Sequence, residues 1–219
     1  IKYQLSPAES YYSVVGVEPN IALIQLADMK KLQIPEAIKG IPVKKIKAEA
    51  FKEADWLEEI RLPNTISEIG YQAFAQCQSL VTFVWSGDCS LNVKMDSLVF
   101  LNCKALKTVH IFSRLTPGRK DFCKCENLTL FNCPYINGIP VDYFCGCHSL
   151  CRISFTDCQY LTAGSFSGSG IQRVAFYEKA PKLFEGVVDT LIRDSIRISC
   201  RSGNPLTDLI YRGVIVEVR

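Results

Sequence analysis

The chain has 219 residues, of which 48% are hydrophobic and 21% are charged, and its formal net charge is +3. This composition supports a sizeable core and excludes intrinsic disorder, and the near balance of charge excludes an electrostatic nucleic-acid binder. The longest uncharged stretch, residues 127–141, contains two prolines and falls short of the ~20 apolar residues of a membrane helix, so we expect no membrane span. The first residue is isoleucine, so we expect a processed or truncated chain.

Residues 1–33 are predicted to form an N-terminal cap, which begins over residues 11–17. Ile34-Pro35 then matches the strand end Leu62-Pro63, so half a coil is expected before the first full repeat. Caps are needed because the end coils of a repeat array otherwise expose their core.

A repeat of the form Ala-Phe-x-x-Cys-x-x-Leu-x-x-Ile-x-Leu occupies residues 34–176. Its phenylalanine anchors are spaced by 23, 26, 22, 22 and 22 residues. The six anchors are Phe51, Phe74, Phe100, Phe122, Phe144 and Phe166. The Leu-x-x-Ile-x-Leu half alternates and ends at a turn-forming residue, which predicts a short strand. The Phe-x-x-Cys-x-x-Leu half has apolar residues at i, i+3 and i+6, which predicts a short helical or 3₁₀ turn.

Such a unit cannot bury its apolar face alone, so neighbouring units must stack. The sequence therefore predicts an α/β right-handed solenoid of about six to seven coils, with a parallel sheet on one face and the turns opposite. After Phe176 the period fails, and residues 177–219 are predicted to form a C-terminal cap with strands at Ile196–Cys200 and Val214–Val218.

The repeat resembles the BspA-like leucine-rich repeat family. The resemblance lies in residues 34–43, 60–64 (Ile-Arg-Leu-Pro-Asn) and 69–80 (Ile-Gly-Tyr-Gln-Ala-Phe-Ala-Gln-Cys-Gln-Ser-Leu), and it runs from about residue 34 to 176. It implies a surface or secreted protein of gut or oral bacteria, or of a parasitic protist, that binds host or bacterial surfaces. It carries over no catalytic residue. This chain departs from the pattern at an insertion, Gly87–Asp96, and after Phe176, and both are places where its own function can lie.

Four of the eleven cysteines occupy one template position, three residues after the phenylalanine anchor. They are Cys77, Cys103, Cys125 and Cys147. Ala54 and Ser169 hold this position in the flanking units, so small side chains recur there and predict a tight buried column. Cys133 replaces an inward leucine and is also predicted to be in the core.

Cys123 and Cys145 each follow a phenylalanine anchor directly and lie in adjacent coils. They form either a disulfide or two unpaired thiols on the rim of the coils. A zinc site built from these residues with Cys125, Cys147 and His148 requires four converging ligands. The cysteines of the column point inward and the other two do not, so no metal site is predicted. No pairing can be deduced for the cysteines in loops, on a strand and in the cap, which are Cys89, Cys151, Cys158 and Cys200.

The sequence favours a protein without catalytic activity or cofactor. Cys147 and His148 are neighbours on a tight turn, which points the two side chains apart and opposes a nucleophile–base pair. Residues 164–170 look like a phosphate loop, but they contain the anchor Phe166. No nucleophile elbow or His-Glu-x-x-His motif is present.

The strand residues between the inward anchors point outward and align into two rows on the sheet. The candidate binding residues in these rows are Glu59, Arg61, Thr82, Val84, Thr108, His110, Leu130, Asn132, Arg152, Ser154 and Arg173. Phe112, Tyr135 and Tyr177 follow their strands, where they either join this surface or cover the core edge of the next coil. Repeat proteins commonly bind partners on such a face, although a spacer without its own partner has the same pattern.

We therefore expect a non-enzymatic binding protein, secreted or on a bacterial cell surface, that recognises host or bacterial surface proteins with this sheet. The alternative is a carbohydrate-binding or scaffolding module of a larger surface assembly, with glycans as possible ligands. No nucleic acid partner is expected.

Overall fold

A computed structural model describes residues 1–6, 10–17, 30–178 and 181–200 and the backbone of residues 216–218. The described part is a β-solenoid of about seven coils, which confirms the predicted repeat fold. Its elements, in chain order, are β1 (Lys2–Ser6), β2 (Tyr11–Gly16), β3 (Lys31–Gln33), β4 (Ala37–Ile38), β5 (Ile41–Ile46), β6 (Glu59–Leu62), β7 (Glu68–Ile69), β8 (Thr82–Trp85), β9 (Asn92–Met95), β10 (Thr108–Ile111), β11 (Arg114–Thr116), β12 (Leu130–Asn132), β13 (Arg152–Phe155), β14 (Tyr160–Leu161), β15 (Arg173–Phe176), β16 (Lys182–Leu183), α1 (Val187–Arg193), β17 (Arg197–Cys200) and β18 (Val216–Val218).

The predicted strands of the repeat form a face that we call the front sheet. It consists of two parallel ladders, β3-β6-β8-β10-β12 and β13-β15-β17-β18. In the described residues β12 and β13 are not paired, so the predicted parallel sheet is divided into these two ladders. We call this break the seam of the front sheet.

A second face of the solenoid, the side sheet, was not predicted from the sequence. Strands β2, β5, β7, β9 and β11 pair in parallel along it, and β14 pairs with β16 in the later coils. The isoleucine that precedes each Ala-Phe pair belongs to this sheet, as Ile46 and Ile69 show. Part of the proposed insertion Gly87–Asp96 also belongs to it, since the insertion contains β9 with the buried Val93 and Met95.

The third face consists of successive turns where the sequence predicted a helical or 3₁₀ segment. In the Phe74 coil, the N–H groups of Ala73, Ala75 and Cys77 donate to carbonyls three residues earlier in the same turn. The N–H groups of the intervening residues donate to the next coil, as from Phe74 to Val99 at 3.0 Å. A positive φ at every fourth residue, such as Gln72 and Gln76, prevents the turns from continuing as a helix.

The six phenylalanine anchors stack through the centre of the solenoid. Neighbouring ring centroids lie between 5.1 and 6.3 Å apart, and the rings are nearly parallel. The strand residues Phe83 and Phe131 pack edge-on against this stack. Aromatic pairs at these separations add stabilisation beyond the burial of their area, so the anchors tie each coil to the next.

Both ends of the solenoid extend its sheets. The hairpin β1–β2 is antiparallel, and β2 pairs with β5 in parallel, so the predicted start of the N-terminal cap is a strand of the side sheet. Strands β17 and β18 continue the second ladder of the front sheet. Of the predicted strand Val214–Val218, residues 214 and 215 lie outside the described residues. The division into 1–33, 34–176 and 177–219 remains a prediction.

Candidate binding face

The front sheet brings the predicted binding residues into two rows. Glu59, Thr82, Thr108 and Leu130 are in register in the first row, and Arg61, Val84, His110 and Asn132 in the second. Beyond the seam, Arg152 pairs with Arg173 and Ser154 with Ala175. All of the predicted site residues are half-buried or exposed, whereas the anchors between the rows, such as Val109 and Ile153, are buried. The role of the predicted site residues in binding remains a prediction.

Charged side chains at the N-terminal end of this face pair with one another within the sheet. Arg61 Nε donates to Glu59 Oε1 at 2.6 Å, and Lys31 Nζ lies 3.6 Å from Glu59 Oε2. The hydrogen bond from Arg61 is the main reason that the pKa of the Glu59 carboxyl is lowered. The single carboxylate of Glu59 pairs with two cations, so these three side chains keep a formal net charge of +1.

The middle of the face is uncharged and its side chains pair across strands. Thr108 Oγ1 donates to Thr82 Oγ1 at 3.1 Å. Asn132 Nδ2 lies 3.4 Å from His110 Nδ1, and the His110 ring is stacked on Phe112 with centroids 6.1 Å apart. Phe112 remains 41% exposed, so it extends the face and does not cover a neighbouring core edge.

Beyond the seam the face becomes basic. Arg152, Arg173 and Arg197 are in register on β13, β15 and β17, and they line a cleft of about 570 Å³. Gln172, Asp194 and Ser195 complete the lining of what we call the arginine cleft. Arg197 was missed as a site residue because its strand was assigned to a cap. Aligning Ile198 with Val174 would have placed Arg197 in the row.

A groove of about 310 Å³ with a mixed polar and apolar lining follows the seam and adjoins the arginine cleft. Leu130 and Tyr177, which are 45% and 43% exposed, line it together with Ser154. Arg152 and Arg173 line both the groove and the cleft, so the two are continuous. Tyr135, the third aromatic residue considered, lies elsewhere, with the Arg114 guanidinium 5.9 Å from its ring centroid.

The column of cysteines is buried, and its thiols are hydrogen-bonded to the preceding coil. The thiols of Cys77, Cys103, Cys125 and Cys147 donate to the carbonyl of the phenylalanine anchor in the preceding coil, at 3.0–3.2 Å. Burial raises the pKa of Cys103 and Cys125, and it raises that of Cys147 to about 12. These thiols are therefore packing groups, because the nucleophilic form of cysteine is the thiolate.

A disulfide joins Cys123 and Cys145, whose Cα atoms are 4.6 Å apart. The sequence left open either a disulfide or two unpaired thiols for this pair, and the structure contains the disulfide. The other nine cysteines are free, and of these Cys89 and Cys151 are exposed. Among the described residues, no three His, Cys, Asp or Glu side chains converge as metal ligands.

Counting reactive thiols tests both the column and the disulfide. Alkylation of the native protein is expected to modify the two exposed cysteines, Cys89 and Cys151, quickly. Denaturation without reductant should raise the number of alkylated cysteines to nine, and reduction should raise it to eleven. Mass spectrometry gives each number directly. Eleven alkylated cysteines before reduction would contradict the disulfide, and rapid native modification of Cys103 would contradict the buried column.

The fold and its exposed parallel face define a leucine-rich-repeat solenoid. The sequence profile of the BspA type leucine-rich repeat region matches in six copies, over residues 24–134 and 90–186. The chain therefore belongs to this family, as the sequence predicted.

Solved structures of bacterial leucine-rich repeat proteins are similar in fold. The leucine-rich repeat protein of T. pallidum is 16% identical with a TM-score of 0.58, and the match covers 100% of this chain and 94% of that one. A leucine-rich cell surface protein of Faecalibacterium prausnitzii is 18% identical with a TM-score of 0.66, and the match covers 90% of this chain but only 52% of that one. No curated protein sequence matches significantly. None of the helices in the described residues is long and apolar enough to cross a membrane.

Proposed function

We propose that this chain is a non-enzymatic recognition module, secreted or on a bacterial cell surface, that docks a protein partner on its front sheet. The observation that carries the proposal is the uneven distribution of charge and apolar surface on that face. At one end Glu59 pairs with both Lys31 and Arg61, and at the other end Arg152 and Arg173 adjoin the exposed apolar side chains of Leu130 and Tyr177. Arginine and aromatic residues around a concave surface are the types enriched at binding hot spots.

Two further features support a role without bond chemistry. His148 is exposed while its neighbour Cys147 is buried and donates its thiol to the Phe122 carbonyl at 3.0 Å. The only other histidine, His110, is paired with Asn132 and Phe112 on the face. Neither histidine is arranged to activate a nucleophile, since a base must hydrogen-bond to the group it activates.

A binding screen tests the proposal. Purified protein is applied to immobilised matrix proteins, mucins and glycans, together with the double variant Arg152→Glu, Arg173→Glu. We expect capture of a protein by the wild type and a loss of at least about tenfold in the double variant, because its charge opposes that of the partner. Both side chains point away from the core, so the melting temperature should not change.

The matched control is the double variant Arg119→Glu, Lys124→Glu. It makes the same change in charge at exposed positions on the turn face of one coil. Its capture should equal that of the wild type. Equal capture by the Arg152, Arg173 variant would refute docking on the front sheet, and the absence of any protein captured by the wild type would refute the recognition module itself.

The second candidate function is carbohydrate binding. It is favoured by the exposed rings of Phe112 and Tyr177, since sugar rings stack on exposed aromatic side chains. A glycan that binds the wild type and the Arg152, Arg173 variant equally, but not Phe112→Ala or Tyr177→Ala, would select this candidate.

A further inference from the structure

The row of arginines beyond the seam is unusual for a parallel sheet. Neighbouring strands lie ~4.8 Å apart, and like charges directly opposite one another on a sheet destabilise it. In the three coils before the seam the same row position holds Thr82, Thr108 and Leu130, which carry no charge. The Arg152 guanidinium has no hydrogen-bond or ion-pair partner among the described residues. Arg152 is therefore available to a ligand at the edge of this row.

The charge of the arginine cleft favours an anionic ligand. Its three arginines and one aspartate, Asp194, give a formal charge of +2 among the described lining residues. Gln172 and Ser195 add neutral hydrogen-bonding groups. Guanidinium groups bind carboxylates with two parallel hydrogen bonds, so two carboxylates would balance the charge of the cleft.

The groove at the seam favours a peptide over a sulfated glycan. It is continuous with the cleft, and its lining is mixed, with the exposed apolar side chains of Leu130 and Tyr177 beside polar ones such as Asn132 and Ser154. Sugar rings stack on aromatic side chains such as Tyr177, but an exposed aliphatic side chain such as Leu130 favours contact with an apolar side chain of a peptide. Side chains at i and i+2 of an extended peptide lie ~6.6–6.8 Å apart on one face, and the arginine row spans ~9.6 Å, so two alternate acidic residues can reach all three arginines.

We propose that the arginine cleft and the adjoining groove bind an extended segment of the partner protein with two acidic side chains at alternate positions and an apolar side chain next to them. The acidic side chains contact Arg152, Arg173 and Arg197, and the apolar side chain lies between Leu130 and Tyr177. This inference rests on the proposed function and specifies the chemistry of its partner.

Selection from an unbiased phage-displayed peptide library on the immobilised wild-type protein tests the inference. Enriched sequences should contain alternate aspartate or glutamate residues next to an apolar residue. A labelled peptide of the enriched sequence should bind about tenfold more weakly to Arg197→Glu in fluorescence anisotropy, and Arg197→Gln should give a smaller loss. Binding to Arg119→Glu should stay within about twofold of the wild type, and all binding should weaken as salt rises from about 50 mM to about 300 mM.

Several outcomes would overturn this assignment. They are a selection without enrichment, enrichment of neutral peptides, or acidic peptides that bind Arg197→Glu as tightly as wild type when thermal melting shows that the variant is folded. Heparin that binds with dependence on Arg197, in the absence of acidic peptides, would assign the cleft to a sulfated glycan. In each case the capture of a protein in the earlier screen, lost in the Arg152, Arg173 variant, would leave the proposed function intact. Failure of both experiments would reject both proposals.

Discussion

Replacing Phe100 with alanine is expected to lower the free energy of unfolding by about 3–5 kcal/mol. Phe100 is fully buried at the centre of the solenoid. Its ring stacks on Phe74 and Phe122 with centroids 5.3 and 5.1 Å away, and it meets Phe83 edge-on at 4.7 Å. The substitution removes all three ring contacts and leaves a cavity between coils. The coils around Phe100 cannot collapse into it independently, because β10 pairs with β8 and β12, β9 pairs with β11, and the turns are hydrogen-bonded from coil to coil.

Urea unfolding monitored by circular dichroism measures this loss, and Phe112→Ala is the matched control. Phe112 belongs to the coil whose anchor is Phe100, but it is 41% exposed and contacts the His110 ring at a centroid distance of 6.1 Å. Its removal should change the free energy of unfolding by less than about 1 kcal/mol. Similar losses for the two variants would show that the stack of anchors does not stabilise the solenoid.

The second large effect is expected at Asp121, a carboxylate in the core. Its Oδ1 accepts the N–H of Val99 in the preceding coil at 3.2 Å, and its Oδ2 accepts the N–H of Gly118 at 2.9 Å. Alanine at this position leaves both donors without an acceptor, so we expect Asp121→Ala to lower the free energy of unfolding by roughly 2–3 kcal/mol. An unchanged free energy would mean that water or another acceptor replaces the carboxylate.

The pH dependence of stability separates the charge of Asp121 from its hydrogen bonds. Burial raises the pKa of this carboxyl well above its usual value. The folded state therefore holds the proton more tightly than the unfolded chain, whose carboxyl has a pKa of about 3.9. The resulting stabilisation is complete below the unfolded pKa and is lost as pH rises through the folded pKa.

Asp121→Asn keeps one acceptor oxygen and cannot ionise, so this position should not lower its free energy of unfolding as pH rises. The wild type should lose more free energy of unfolding than Asp121→Asn between about pH 4 and about pH 8. Chemical denaturation of both proteins at the two pH values gives the difference. Parallel pH profiles would show that Asp121 ionises equally easily in the folded and unfolded chains.

The repeat could be predicted from the sequence because its anchors are large, apolar and regularly spaced. Phe74 and Cys77 take the same places in the structure as in the template, and the strand half of each unit lies where alternation indicates. The side sheet could not be found this way. Strands such as β7 and β14 have only two residues, which is too short to show an alternating pattern of apolar and polar side chains.

Features that depend on contacts between coils were also missed. Asp121 occupies the place of Ala73 and Val99 in earlier units. Nothing in the neighbouring sequence indicates that its carboxyl accepts hydrogen bonds from two backbone N–H groups. The seam arises because β12 and β13 do not pair, and the strand pattern alone does not specify which neighbouring strands pair. Arg197 follows a stretch without the repeat period, so its alignment with Arg173 became visible only from the register of β15 and β17.

The column of thiols has a consequence for the order in which the chain folds and is oxidised. In the unfolded chain its four cysteines and Cys123 are separated by short, flexible loops, and any two of them can meet and form a disulfide at modest entropic cost. Each such bond would remove a thiol that the folded coil donates to a phenylalanine carbonyl. We therefore expect the coils to stack first, so that burial protects the column before an oxidant joins Cys123 to Cys145.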